Sequence, residues 1–262
     1  MERPVLHVIP VCPFCQRTEV LLALKGATDA VELRAVDITR PRDPALLALT
    51  RGSTALPVLE TPRGVLRESL ALLRYLDEVA PGPRVAREDP FERAAEDMLL
   101  AMEGDFSAAG YRMMLNQDPA QRDSLERALL AQYARLDDYL RWRNPEGTFL
   151  FERFGLAECA FTPLFQRFWV NEYYDGFALP AEGFARVARW RDACLAHPAA
   201  QQVTHEQVVK NYYDYAMGAG NGAVLPGRAA SSFALTPHWR ERPMPPREKY
   251  ARRATDAELG LV

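Results

Sequence analysis

Val5-Leu6-His7-Val8-Ile9, apolar but for one histidine, leads almost directly into Cys12-Pro13-Phe14-Cys15, and helical spacing then continues to Lys25-Gly26. A short apolar run of this kind reads as a strand covered on both faces, and a proline at the first turn of the next segment suits a helix start. The N-terminus is thereby committed to a β–α unit with a thiol at the junction. The helix's unpaired N–H groups and the positive end of its dipole face that thiol. A cysteine so placed loses its proton more readily than a free one, and the thiolate is the nucleophile.

The pattern continues. Val31 to Ala35 alternates like a half-buried strand, and Asp43-Pro44 starts a short helix running to Thr50. Val58-Leu59-Glu60 and Val65-Leu66-Arg67 flank Thr61-Pro62-Arg63-Gly64, which suits a tight antiparallel turn. Ser69 is expected to cap a helix whose inner side carries Leu72, Leu73, Leu76 and Val79. The predicted order is β-α-β-α-β-β-α over residues 1–80, followed by a Pro-Gly-Pro-containing linker, 81–90. Beyond it the pattern is helical over 91–216. Asp89-Pro90 and Asp118-Pro119 are start signals, Phe91, Ala95, Met98 and Met102 share one helical spacing, and further helices are expected over 156–174, 182–196 and 198–216. Residues 217–262, rich in Gly and Pro, form an extension that is wrapped or disordered, with Phe233, Leu235 and Trp239 as candidate anchors.

Bulk properties narrow the function classes. A formal charge of −3 on 262 residues gives no electrostatic footprint for nucleic acid, and no apolar run approaches the ~20 residues of a membrane span. The first residues lack a secretory h-region, and four cysteines do not make a disulfide scaffold, so a reducing cytoplasmic setting is expected. Cys159 and Cys194 read as buried packing residues. Zinc is not expected, because His7, His197, His205 and His238 supply no close-spaced second ligand pair.

Two further features bear on the site. In Ala55-Leu56-Pro57-Val58 the proline opens a strand; a cis bond there would free the Leu56 backbone to pair with an extended ligand, and a trans proline at an edge-strand start is the plain alternative. Glu68-Ser69 stands where strand passes into helix. It is either an exposed charge followed by a helix cap, or a pair able to face an ammonium and hold a carboxylate.

Together Cys12-Pro13-Phe14-Cys15-Gln16-Arg17, Leu56-Pro57-Val58-Leu59 and Glu68-Ser69, with a helical second half, resemble the cytosolic glutathione transferases, in particular their cysteine-bearing, omega-like and related bacterial branch. The likeness covers residues 1–215. It implies an α/β thioredoxin-like N-terminal domain, an all-α C-terminal domain, glutathione as cosubstrate and a homodimer. It further implies Cys12 as the catalytic thiol, Cys15 as either a resolving thiol or a packed one, and Phe14, Leu56, Pro57, Glu68 and Ser69 around glutathione. Arg42 stands in for a lysine that relatives use on the glycyl carboxylate, and Arg51-Gly52-Ser53-Thr54 departs from the family's Asn-Pro-x-Gly. Phe106, Tyr111, Trp169 and Tyr212 are candidates for the acceptor pocket. Gly155 and Glu158 fall where the family carries its Ser/Thr-x-x-Asp helix cap.

The expected reaction is thiol transfer: Cys12 attacks sulfur in a glutathionyl or oxidised small substrate, and a second glutathione resolves the mixed disulfide. The competing readings are conjugation, ether cleavage or dehalogenation of an aromatic electrophile, and a non-catalytic glutathione-fold binding protein.

Overall fold

The computed structural model describes residues 3–262. Strand β1 (Val5–Val8) pairs in parallel with β2 (Glu32–Ala35) and antiparallel with β3 (Val58–Thr61), which pairs with β4 (Gly64–Leu66), so the sheet order is β2-β1-β3-β4. Central β1 is the buried strand, and its register sets Leu6 opposite both Leu33 and Leu59. Helices α1 (Pro13–Leu24), α2 (Pro44–Leu49) and α3 (Ser69–Val79) complete this layer. Asp43 caps α2 by accepting from Ala45 N–H at 2.8 Å.

Helices α4 (Pro90–Leu100), α5 (Glu103–Leu115), α6 (Arg122–Arg143), α7 (Leu156–Arg167), α8 (Trp169–Tyr174), α9 (Ala185–Ala196), α10 (His205–Asn211) and α11 (Tyr213–Ala216) form the second layer. Leu129, Tyr133, Leu136 and Leu140 line up along the buried stripe of α6, and α1 lies between α3 and α7. One core therefore runs continuously from Leu6 and Leu21 to Phe161 and Trp190. Among the described residues no helix is long and apolar enough to cross a membrane, and none of their His, Cys, Asp and Glu side chains cluster as a metal site.

Several helical details differ from expectation. Val79, the last residue of α3, is exposed, while Leu76 and Asp77 of the same turn are buried. The buried face of α4 is Ala95, Glu96, Leu99 and Leu100, leaving Phe91 and Met98 in solvent, where Arg143 lies over the Phe91 ring at 5.2 Å. The stretch 156–174 divides at Phe168, and 198–216 is a 3-10 turn (Pro198–Ala200) followed by α10 and α11.

The start of α7 is capped from another helix. Glu158 accepts from Gly155 N–H at 2.8 Å, while Glu96 of α4 accepts from Ala157 N–H at 3.1 Å. A side chain on residue 155 would meet the Glu96 carboxylate at 2.8 Å, so Gly155 leaves room for an acid that does the work of a local Ser or Thr. Burial, reinforced by the charge of Glu158, raises the Glu96 carboxyl from 4.5 to about 7. Between those pH values the folded chain holds a proton the unfolded chain has lost, so stability falls as pH rises through that window. A rise from 4.5 to about 7 bounds the effect at about 3 kcal/mol. Urea unfolding at pH 5 and pH 8 should show wild type losing more stability than Glu96→Gln over that interval; equal losses would remove Glu96 as the cause.

Residues 217–262 pack on the helical layer with little regular structure. Leu225, Phe233, Ala254, Leu259 and Leu261 join a second core with Val170, Val208, Tyr212 and Tyr213. Of the three anticipated anchors only Phe233 is buried; Leu235 is exposed and Trp239 half-buried, stacked under Arg240. Buried cations bind backbone carbonyls of the extension and of the last turn of α5. Arg242 donates to Ser232 O at 2.7 Å, and Lys249 Nζ donates to Met113 O and Met114 O at 3.0 and 2.9 Å. Lys249 also pairs with Asp175 at 2.9 Å, both side chains being fully enclosed.

Candidate active site

Cys12 is the N-cap of α1, in extended backbone, with Pro13 at the helix's first position. The residue before it, Val11, has φ +60°, a left-handed conformation costly for a β-branched side chain. Two hydrogen bonds hold this turn: Cys12 N–H to Ile9 O at 3.1 Å, and the Tyr212 hydroxyl to Val11 O at 3.1 Å. The position of the Cys12 thiol thus depends on a residue of the last helices.

The Cys12 thiol is brought down from 9.0 to about 7, chiefly by the hydrogen bond from the Cys15 thiol, with help from the N–H groups of Cys15 and Phe14 and the charge of Arg167, against the opposing effect of burial. Cys15 is fully buried, its sulfur accepts from Ile9 N–H at 3.3 Å, and burial drives its own pKa well up. Arg167 of α7 is completely buried. It donates to Gln16 Oε1, lies 5.5 Å from the Tyr212 ring, and has Nε and Nη1 without partners.

Two adjoining cavities meet here and share Phe14, Ala55 and Leu56 as walls. The first, about 520 Å³, is lined by Arg17, Pro57, Arg67, Glu68, Ser69 and Glu103. The Leu56–Pro57 bond is cis. Glu68, with φ +69°, is the N-cap of α3, and Ser69 is its first helical residue, so the expected Ser69 cap is displaced by one position. Ser69 Oγ instead accepts from Arg17 Nη1 at 2.9 Å. Arg17 also donates to Ala160 O at 3.1 Å, contacts Glu103 at 2.5 Å and lies 4.9 Å from the Phe14 ring, tying both domains together beneath this cavity.

The second cavity, about 660 Å³, has Cys12 on its wall with Tyr111, Tyr212, Tyr215 and Phe233; Arg42 and Arg40 stand at its other side. Arg42 reaches Thr54 O at 3.3 Å and its buried Nη1 has no partner. The Tyr111 and Tyr212 hydroxyls are 3.4 Å apart. Two residues anticipated here are elsewhere. Phe106 is the centre of the helical core, edge-on to Tyr133 and Phe165, because it stands about 140° round α5 from Tyr111. Trp169 begins α8 and packs on His205, 5.7 Å away, beyond the turn that ends α7. Sequence reasoning missed Arg167, Tyr215, Asn221 and Phe233 as neighbours of the thiol. Only Phe233 had a signal, an aromatic in an otherwise polar, Pro-rich stretch.

Residues 6–84 match the family model described as glutathione S-transferase, N-terminal domain. Over those residues the chain carries a glutathione S-transferase N-terminal domain. It is 33% identical over 171 residues to protein IN2-1 of Zea mays, the match covering 65% of this chain and 66% of that one. It is 28% identical over 130 residues to glutathione S-transferase omega-1 of Sus scrofa, covering 49% of this chain and 52% of the pig protein. Sequence similarity thus spans just under two thirds of the plant relative and about half of the pig one. Among solved structures, glutathione transferase Omega 3C of Trametes versicolor superposes with a TM-score of 0.67 at 20% identity, covering 77% of this chain and 89% of that one; at that identity the likeness is one of fold. The two-layer architecture, a thioredoxin-like sheet domain beside a helical one, matches that of the solved glutathione transferases in fold.

Proposed function

We propose that this chain catalyses glutathione-dependent thiol transfer through a Cys12 mixed disulfide. The observation that carries the reading is the place of Cys12: a thiol of pKa about 7, at a helix N-terminus, beside the boundary of two cavities of different character. Glutathione would lie in the polar cavity. Its γ-glutamyl ammonium would face Glu68, its γ-glutamyl carboxylate Ser69 and the first N–H groups of α3, and its cysteinyl backbone the Leu56 N–H and C=O. Arg42 would take the glycyl carboxylate.

Cys12 attacks the glutathionyl sulfur of the substrate, the substrate thiolate leaves, and a second glutathione thiolate attacks the same sulfur to release oxidised glutathione and Cys12. Cys15, enclosed and held in thiol form, would donate a hydrogen bond to the Cys12 thiolate rather than resolve it. Mass spectrometry after incubation with oxidised glutathione should show one adduct of about 305 Da on Cys12, stable to intramolecular exchange. An accumulating Cys12–Cys15 disulfide would instead establish a dithiol route.

A further inference from the structure

Building on the thiol-transfer reading, we infer that residues 218–234 form a strap that fits the second cavity to small aromatic glutathionyl compounds and shuts out glutathione disulfides carried on folded proteins. The strap leaves α11 as Gly218-Ala219-Gly220-Asn221-Gly222, a composition that in a sequence suggests slack. Here these glycines mark close approach. A Cβ on Gly220 would lie 2.9 Å from the Tyr215 ring, and one on Gly222 would lie 2.5 Å from the carbonyl oxygen of Ile38. Ile38 belongs to the loop after β2, so the strap reaches from the helical layer onto the sheet domain. Tyr215 fixes its tip by donating to Asn221 Oδ1 at 3.0 Å.

The strap then turns back and packs Phe233 edge-on against the stacked Tyr212 and Tyr215 rings, at 5.1 and 5.5 Å. Its return is clamped. Buried Asp214 accepts from Ser232 N–H at 2.7 Å and pairs with Arg228 at 3.2 Å, and Arg228 also pairs with Asp256. Asn221 and Phe233 thus complete a wall whose other members beside Cys12 are Phe14, Tyr111, Tyr212 and Tyr215. About 660 Å³ bounded by five aromatic side chains suits a flat ring, and such a volume is that of a small-molecule site. A cysteine on a folded protein brings backbone and neighbouring side chains with it, and these meet the strap before the disulfide meets Cys12.

Two substrates decide the matter: the mixed disulfide of glutathione with thiophenol, and serum albumin carrying a glutathionyl group, each with glutathione as reductant. The full chain should favour the aryl disulfide in kcat/KM by at least about a hundredfold beyond their ratio of uncatalysed rates. Gly222→Val, which forces the strap off Ile38, should narrow that preference. Comparable catalysis of both substrates by the wild type overturns the inference, whether or not Gly222→Val folds. If neither these nor hydroxyethyl disulfide is turned over through Cys12, thiol transfer itself falls and the strap's proposed role with it.

Discussion

Cys12→Ser is expected to lower glutathione-dependent reduction of hydroxyethyl disulfide by about a thousandfold or more, since a serine hydroxyl cannot form the mixed disulfide. In the wild type, kcat/KM should rise about tenfold per pH unit below 7 and level off above about 8, following ionisation of a thiol that sits at about 7 rather than 9. The same ionisation should appear when Cys12 is alkylated by iodoacetamide across pH, a readout independent of turnover. Cys15→Ala removes the largest of the influences that favour the thiolate and should move that profile to higher pH while preserving turnover. Near-normal transfer by Cys12→Ser would leave conjugation chemistry as the better account of the site.

The second large effect is expected far from the thiol. Lys249→Met leaves the Asp175 carboxylate enclosed with the Tyr250 hydroxyl, at 3.2 Å, and Arg122 bonded only to its backbone carbonyl, at 2.7 Å. Breaking one side of a buried ion pair costs about 3–5 kcal/mol. For a chain of this size that corresponds to a fall in Tm of about 6–20 °C. Asp175→Asn should cost less, because Lys249 keeps the carbonyls of Met113 and Met114. The double variant should recover part of the loss, which differential scanning calorimetry of all four proteins would show. Strict additivity would mean that the pair does not couple.

The thioredoxin-like half was readable because its signals are local. A strand, a Cys-Pro start, a Pro–Gly turn and a strand-to-helix dipeptide each act within a few residues, and α1, β3, β4 and α3 fall within a residue or two of their expected bounds. Errors gathered where burial depends on distant partners. The spacing of Phe91 and Met98 is sound helical geometry, but nothing local says which face of α4 meets α7. Phe106 and Tyr111 share one helix and differ only in direction: one enters the core and the other meets Cys12's cavity. Arg167 carries no motif; it is buried beside the Tyr212 ring with Nε and Nη1 lacking partners. The weak Gly155 cap was legible as a departure, whereas its compensation by Glu96, 61 residues before the Ala157 N–H it accepts from, was not.

The bond from Tyr212 to Val11 spans 201 positions, and Phe233 lies further along still. Ribosomes release the chain from its N-terminus, and domains generally fold in that order. The sheet domain can therefore close while the residues that brace Val11 and roof Cys12 are still unmade. For that interval the thiol meets solvent without its aromatic neighbours and without the hydroxyl that fixes its turn. On the proposed reading of Cys12, a nascent chain stalled before Tyr212 would carry a thiol whose turn is not yet braced, so the late residues would act as the safety catch on a thiol built early.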